Sequence, residues 1–424
     1  MSPIITRLQL FQYSVLALPL AFAGLPVYLL APDFYATSYD ISLASIGLVL
    51  LVLRLMDAAI DPILGYLIDY WAQRFQRLIQ LGVICMVLGI FALFWVPDIS
   101  RIFVMAWFCI AVFLTTLAYS LLTIGYGVQG AIWSADRDDQ VRITTSREGF
   151  TLIGLILAVT LPSVLTSFWG PIIAYRTLAI ILVICLVVAF MIYANVKTPQ
   201  LGKKYIEKVE PKSALRALTT PALIRLYWLY GLSVLASALP AVLVIFFVRD
   251  YLQAYDLIGV FLLLYFLSGA ISMPFWRQLS NKLDKLRAWM ASMILAICSF
   301  ALVLLCDPGD TWLYAAVCLA TGVALGAELA LPPAILAELV DQEATSTGLK
   351  FSGLSFLNKL SLSIAAGISL PALGWLGFEP GQTNSTDTLA ALLWIYGGLP
   401  CALKLLALAG AFSWKNHLSQ GAYA

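Results

Sequence analysis

Long apolar stretches alternate with short polar ones along almost the whole chain. The apolar stretches run for about 20 to 30 residues, and an α-helix needs roughly 20 to cross a bilayer. We therefore predict twelve membrane-spanning helices. The predicted ranges are 8–31, 41–70, 78–97, 101–130, 147–169, 172–195, 220–248, 252–275, 287–306, 311–339, 350–377 and 386–413.

Composition supports an all-α membrane protein. Of the 424 residues, 62% are hydrophobic and 11% are charged, whereas soluble domains carry about 25% charged residues. The 25 basic and 23 acidic residues form no basic stripe, so we expect no nucleic-acid partner. The seven cysteines fall in or beside apolar stretches, and His417 is the single histidine. We expect no disulfide framework, metal site, cofactor or enzymatic activity.

The widest polar segment divides the chain into two halves. It covers residues 197–219 and lies between the sixth and seventh predicted helices. The expected domains are an N-terminal six-helix half at 1–196, this segment as a cytoplasmic loop, and a C-terminal six-helix half at 220–424.

The two halves carry a short repeat. Pro62 precedes Asp69 after the second helix, and Pro274 precedes Asn281 at the same spacing after the eighth. Two six-helix halves related by a parallel repeat are typical of the major facilitator fold, which is the fold we predict.

Basic residues are distributed unevenly between the two sides of the predicted helices. Only Arg101, Arg176 and Arg249 fall on one side, nineteen fall on the other, and Arg54, Lys359 and Lys404 lie within the membrane. Because cytoplasmic loops are enriched in Lys and Arg, we expect both termini in the cytoplasm. We expect a multi-pass protein of the cell inner membrane.

Charged residues inside the second helix indicate a cation site. Arg54, Asp57 and Asp61 have the spacing i, i+3 and i+7, which places them on one helical face. Charges at this depth are costly and usually line a cavity or an ion path. An internal ion pair between Arg54 and Asp57 is the structural alternative, but one arginine cannot neutralise two carboxylates. The remaining charge, beside Pro62, suits a monovalent cation or a proton.

The fourth helix offers oxygen ligands. Thr116, Ser120 and Thr123 recur at i, i+4 and i+7, and the cation-binding candidates are Asp57, Asp61, Ser120 and Thr123. Hydroxyl groups in membrane helices also bond to their own backbone or join helices, which is an equally good interpretation. The candidates for the solute cavity are Tyr119, Gln129 and Asn358.

The second half carries isolated charges at Glu328 and Lys359. Each would be costly in an apolar helix, so we expect them to pair across the cavity. This pair either takes part in gating or only fixes helix packing. Lys404 can extend its amine toward the interface, and we assign it no role.

The polar gap after the fourth helix contains Arg142 and Arg147 beside three aspartates. These arginines are candidate gating residues that hold the cytoplasmic helix ends together in one of two alternating states. The alternative is that they only obey the positive-inside rule.

These residues resemble a known family. The run Arg54-x-x-Asp57-x-x-x-Asp61-Pro62-x-x-Gly65-x-x-x-Asp69 resembles the signature of the glycoside-pentoside-hexuronide:cation symporters, which include the melibiose permeases. The stretch 136–154 is similar to that family's loop between helices four and five, and Lys359 falls where the family has a lysine. The resemblance covers nearly the whole chain.

The resemblance implies a coupling-cation site at Asp57 and Asp61, ligands from the fourth helix, and a solute bound between the halves. The chain departs from the sugar-transporting members in lacking an acid before residue 31 and in having Thr123, Gly127 and Ile60 at three motif positions. The coupling ion is therefore either sodium or a proton.

The first interpretation is a monomeric cation-coupled symporter of a small organic solute, for example a glycoside. The second is a carrier of an amphiphile such as a lysophospholipid, suggested by aromatic residues including Tyr227, Trp228 and Tyr230. The third is a non-transporting receptor or assembly factor with the same fold. The presence of Asp57, Asp61 and Lys359 argues against the third interpretation.

Overall fold

The computed structural model of the chain describes residues 5–25, 30–39, 41, 43–71, 74–98, 100–134, 136–196, 219–343, 346–379 and 381–421, and these are nearly all helical. The predicted loop 197–219 lies outside these residues except for Thr219. The helices of the N-terminal part are α1 (Arg7–Ser14), α2 (Ala17–Leu25), α3 (Ala31–Tyr39), α4 (Leu43–Tyr70), α5 (Phe75–Phe94), α6 (Arg101–Trp133), α7 (Arg137–Trp169) and α8 (Pro171–Ala194). Those of the C-terminal part are α9 (Pro221–Phe246), α10 (Ile258–Leu283), α11 (Lys285–Ala301), α12 (Thr311–Glu343), α13 (Thr347–Trp375), α14 (Thr386–Leu393) and α15 (Leu399–Gly421).

Ten helical segments among the described residues are long and apolar enough to cross a membrane. They correspond to the third through twelfth predicted helices. The second predicted helix is α4, whose 28 residues extend for about 42 Å at 1.5 Å per residue. The predicted twelve-helix membrane fold therefore agrees with the helices observed.

Among the described residues of the first predicted helix, 8–31, the helix is broken into shorter segments. α1 ends at Ser14 and α2 begins at Ala17. Pro19 has no backbone N–H to bond to the carbonyl of Val15, and its ring would clash with that carbonyl in a continuous helix. This proline explains the break, which hydrophobicity alone did not predict.

α7 begins ten residues before the predicted helix start at residue 147. Asp136 caps the helix by accepting hydrogen bonds from the amides of Asp138 and Asp139, at 2.9 and 3.1 Å. Acidic residues in a first turn stabilise a helix N-terminus. The interpretation of 131–146 as a loop was therefore wrong, since its charges begin a long helix.

Two membrane helices of the C-terminal part contain π-helical turns. One extends α9 through Phe247–Tyr251, and the other, Trp394–Gly398, joins α14 to α15. Pro400, two residues after the second turn, cannot donate to the carbonyl of Tyr396, which accounts for the irregular hydrogen bonding. The rings of Phe247 and Tyr396 stack with centroids 4.1 Å apart.

The chain forms two compact units. The first comprises the described parts of Met1–Leu218 together with Val340–Phe356. The second comprises Thr219–Leu339 and Leu357–Ala424, without the residues that the structure leaves out. Within the first unit, α5 and α4 pack on α6, and α2 packs on α7. Within the second, α9 and α11 pack on α15.

Candidate functional site

The candidate cation site begins with two buried carboxylates on α4. Asp57 is 5% exposed and Asp61 is completely buried. Their spacing of four residues places them one above the other on a single helical face. Pro62 directly follows, inside the helix. Arg54, the third charge of the face, is partly buried.

A hydroxyl group of α6 contacts this face. Ser120 Oγ donates a hydrogen bond of 2.8 Å to Asp57 Oδ1, and Ser120 is 1% exposed. Thr116 and Thr123 donate to the backbone of their own helix, at the carbonyls of Phe113 and Tyr119. These threonine oxygens keep lone pairs for a ligand. Ser120 of α6, the fourth predicted helix, is therefore joined to the Asp57 carboxylate.

Gln129 and Tyr119 occupy the same helix. Gln129 is 2% exposed, and its Oε1 atom has no hydrogen-bond partner among the described residues. A buried amide oxygen is usually satisfied, so an orphan needs an explanation such as a ligand or a water molecule. Tyr119 is half-buried. Both remain candidates for contact with a solute.

Arg147 lies within α7, where its side chain is 11% exposed. It forms an ion pair with Glu148, with Nη2 and Oε1 2.7 Å apart, and its guanidinium lies 5.8 Å from the centroid of the Tyr126 ring. Tyr13 and Tyr126 join α1 to α6 by each donating its hydroxyl to the other's carbonyl, at 2.8 and 2.7 Å. The expectation that Arg147 lies in the polar gap after the fourth helix was wrong, since it lies inside α7 and its side chain is largely buried.

Arg142 lies one and a half turns before Arg147 on α7. It pairs with Asp139 at 2.9 Å and donates to the carbonyl of Ile5 at 3.3 Å. It therefore joins the first turns of α7 to the residues that precede α1.

Asp69, at the end of α4, binds the start of α13 inside the first unit. Its two carboxylate oxygens accept hydrogen bonds from the amides of Gly348 and Leu349, at 2.6 and 2.9 Å. These amides are in the first turn of α13, where the helix itself provides no acceptor. Asp69 therefore does what an N-cap side chain normally does.

Two glycines allow this contact. A Cβ atom on Gly65 would lie 2.6 Å from the carbonyl oxygen of Gly348, and a Cβ atom on Gly348 would collide with the carbonyl of Gly65. Any larger residue at either position would separate the helices. The motif Gly65-x-x-x-Asp69 therefore has a direct structural explanation.

A second buried cluster lies in the second unit, around Glu328 of α12. Its carboxylate pairs with Lys404 of α15 at 2.5 Å and accepts hydrogen bonds from Ser233 of α9 and from the indole N–H of Trp289 of α11. The expected pairing of Glu328 with Lys359 was wrong. Lys404, which we had given no role, is 4% exposed.

The remaining candidates of the second half are on α13. Asn358 is exposed and Lys359 is half-buried. Glu338, ten residues after Glu328 on α12, pairs with Lys285 at 2.8 Å.

The model of the MFS/sugar transport protein family matches residues 10–415. The chain belongs to this family. It is similar to the uncharacterized symporter YjmB of Bacillus subtilis, with 22% identity over 90% of this chain and 86% of that protein. It is also similar to the isoprimeverose transporter of Lactiplantibacillus pentosus, with 24% identity over 49% of this chain and 45% of that protein. These matches confirm the resemblance to symporters that the helix-two motif predicted.

The fold matches that of solved transporters. The crystal structure of FucP, a Major Facilitator Superfamily transporter, in the outward conformation has a TM-score of 0.70 and 14% identity, covering 97% of this chain and 98% of that one. This likeness confirms the predicted major facilitator fold. The chain is thus an integral, multi-pass membrane protein and a secondary transporter of this superfamily.

Proposed function

We propose that this transporter couples the movement of a small, hydroxyl-rich organic solute, such as a glycoside, to that of a monovalent cation by alternating access. The observation that carries the proposal is the pair of buried carboxylates, Asp57 and Asp61, with Ser120 donating to Asp57 at 2.8 Å.

The charge of the α4 face favours a cation. Asp57, Asp61 and Arg54 together give that face one net negative charge. Charge buried at membrane depth is costly and is normally balanced by a partner or by an ion. A cation that binds there and leaves again couples the occupancy of the site to the transport cycle.

The available ligands suit either sodium or a proton. Carboxylate and hydroxyl oxygens are hard ligands, which alkali cations prefer, and two neighbouring carboxylates also hold a shared proton well. The resemblance to the symporter family places Thr123 where the sugar-transporting members have an acid, which implies a sodium site with one charge fewer. Replacing sodium in the transport assay distinguishes a sodium-coupled site from a proton-coupled one.

Two features support a sugar-like solute. The family is described as one of sugar transport, and a relative that matches half of the chain is an isoprimeverose transporter. Gln129 Oε1, which is buried without a hydrogen-bond partner among the described residues, is an acceptor suited to a sugar hydroxyl. We assign Gln129, Tyr119 and Asn358 to the solute.

Uptake into proteoliposomes tests the proposal. Purified protein is reconstituted, and accumulation of candidate glycosides is measured under a sodium gradient, under a proton gradient, and under neither. We expect one gradient to drive accumulation in the parent and neither to do so in Asp57→Asn, with Asp256→Asn as a matched control on an exposed turn. Solute binding with no response to either gradient would contradict coupling. Binding of lysophospholipids instead of glycosides would favour an amphiphile carrier.

A further inference from the structure

The Lys404 ammonium lies in a cage of oxygen atoms inside the second unit. Four oxygens surround Nζ: Glu328 Oε2 at 2.5 Å, Ser233 Oγ at 2.8 Å, the Ser233 carbonyl at 3.3 Å, and Ser237 Oγ at 3.3 Å. Ser233 is completely buried and Lys404 is 4% exposed. The cage is therefore shielded from solvent.

The cage does not depend on Lys404 for its shape. Ser233 Oγ lies 2.8 Å from each carboxylate oxygen of Glu328 and donates to that carboxylate. The indole N–H of Trp289, a completely buried side chain, also donates to Glu328. Ser237 Oγ bonds to the carbonyl of Ser233, one turn earlier on α9. Groups other than Lys404 thus fix the oxygens.

The set of oxygens around Lys404 Nζ resembles the coordination shell of a bound cation and goes beyond what an ion pair requires. An ion pair needs only the carboxylate, whereas three of the four oxygens around Nζ are uncharged. Carboxylate, hydroxyl and carbonyl oxygens form the ligand set that small hard cations prefer. A lysine ammonium has three donors and no acceptor, so it occupies an oxygen cage as a compact positive charge.

We infer that Glu328, Ser233 and Ser237 form a monovalent-cation site that the chain fills permanently with the ammonium of Lys404. Removal of this side chain leaves the Glu328 carboxylate and three uncharged oxygens around a space of negative electrostatic potential. A small free cation, such as ammonium, methylammonium, sodium or potassium, then binds in place of Nζ.

If the proposed function holds, the two units obtain their cations from different sources. The first unit carries its carboxylates at Asp57 and Asp61, where the cation is exchangeable, while the second unit supplies its own cation from α15. The parent then exchanges a cation at the α4 site alone, and loss of Lys404 adds a second binding site.

Thermal unfolding of the purified full-length chain tests the cage directly. Lys404→Ala is compared with the parent in choline chloride and in equal concentrations of ammonium, methylammonium, sodium and potassium chloride. We expect at least one small cation to raise the Tm of Lys404→Ala by about 2–5 °C above its effect on the parent, as a ligand that binds only the folded state does. Lys404→Met, whose longer side chain fills the space, should show no added response.

Two further variants separate the possible outcomes. The response should disappear in Glu328→Gln/Lys404→Ala, because the cage has then lost its charge. It should persist in Asp57→Asn/Lys404→Ala, so a failure of the proposed coupling site does not affect this test. Lys404→Ser is the replacement if Lys404→Ala is not recovered as folded protein, since its hydroxyl leaves a smaller and more polar space. Equal cation responses of the parent and of folded Lys404→Ala or Lys404→Ser would overturn the inference.

Discussion

Ser120 Oγ donates to Asp57 Oδ1 at 2.8 Å and thereby joins α6 to the charged face of α4. Both residues are buried, at 1% and 5% exposure. A hydrogen bond to a charged group contributes about 1.5–3 kcal/mol. This contact fixes the orientation of one of the two carboxylates that we assign to the cation.

Ser120→Ala should weaken cation binding without abolishing transport. The variant removes the donor that orients Asp57, so we expect the half-saturating cation concentration to rise about 10-fold, which corresponds to ~1.4 kcal/mol. Uptake measured against cation concentration in proteoliposomes provides the value. Thr160→Ala is the matched control, because its hydroxyl bonds to the carbonyl of Ile156 in its own helix. An unchanged cation dependence in Ser120→Ala would remove Ser120 from the site.

Asp57→Asn and Asp61→Asn should each lose cation coupling while the protein stays folded. Each change deletes one negative charge and keeps a side chain of nearly the same size. Arg54→Gln should destabilise the fold more, since two neighbouring carboxylates then lack their arginine. Tm values and gradient-driven uptake separate these effects. If both asparagine variants concentrate solute as well as the parent, the assignment of the cation site is wrong.

Helix content and the position of the carboxylates followed from the sequence because both depend on local patterns. Apolar length predicts a membrane helix, and the spacing of Asp57 and Asp61 fixes their common face. The partner of Glu328 did not follow, because pairing depends on how helices pack. Lys404 and Lys359 are equally isolated in apolar sequence. The rule that buried charges need partners applies to both, so it could not show which lysine pairs with Glu328.

The start of α7 illustrates a different limitation. Charged residues at 136–147 suggested a loop because hydrophobicity was the main criterion. The signal for a helix was nevertheless present, since Asp136 is followed by acids at the first helical turn. A capping residue followed by acids is thus a stronger signal for a helix start than polarity is for a loop. The break between α1 and α2 also had a local signal, which is Pro19, but the sequence around it is apolar and looks like one continuous membrane helix.

The buried pair of Arg147 and Glu148 should contribute more to stability than an exposed pair. Arg147→Gln leaves Glu148 without its ion-pair partner in a site where both side chains are about one-tenth exposed. Breaking a buried pair costs about 3–5 kcal/mol, whereas an exposed pair contributes about 0–1 kcal/mol. Arg287→Gln is the control, because Arg287 and Asp284 are about half exposed. Equal losses of Tm in the two variants would contradict the buried role of Arg147.

The distribution of Lys and Arg leads to a test of orientation. With nineteen basic residues on one side and three on the other, a reporter fused after Ala424 should be active in the cytoplasm. An epitope tag inserted at Asn384, in the segment between α13 and α14, should be accessible from outside the cell. The reversed pattern of accessibility would contradict the predicted topology.

The contact between Asp69 and the first turn of α13 should protect two backbone amides from exchange. The amides of Gly348 and Leu349 donate to the Asp69 carboxylate at 2.6 and 2.9 Å. Asp69→Ala removes the acceptors, so hydrogen–deuterium exchange of a peptide covering 347–350 should accelerate by about 10-fold or more, as expected for the loss of a charged hydrogen bond. Asp69→Asn keeps one acceptor oxygen and loses the charge that favours a helix N-terminus, so it should fall between Ala and the parent. The first turn of α9, which begins at Pro221, serves as the internal reference. If exchange at 347–350 is the same in all three proteins, the Asp69 carboxylate does not cap α13 in the membrane-embedded protein.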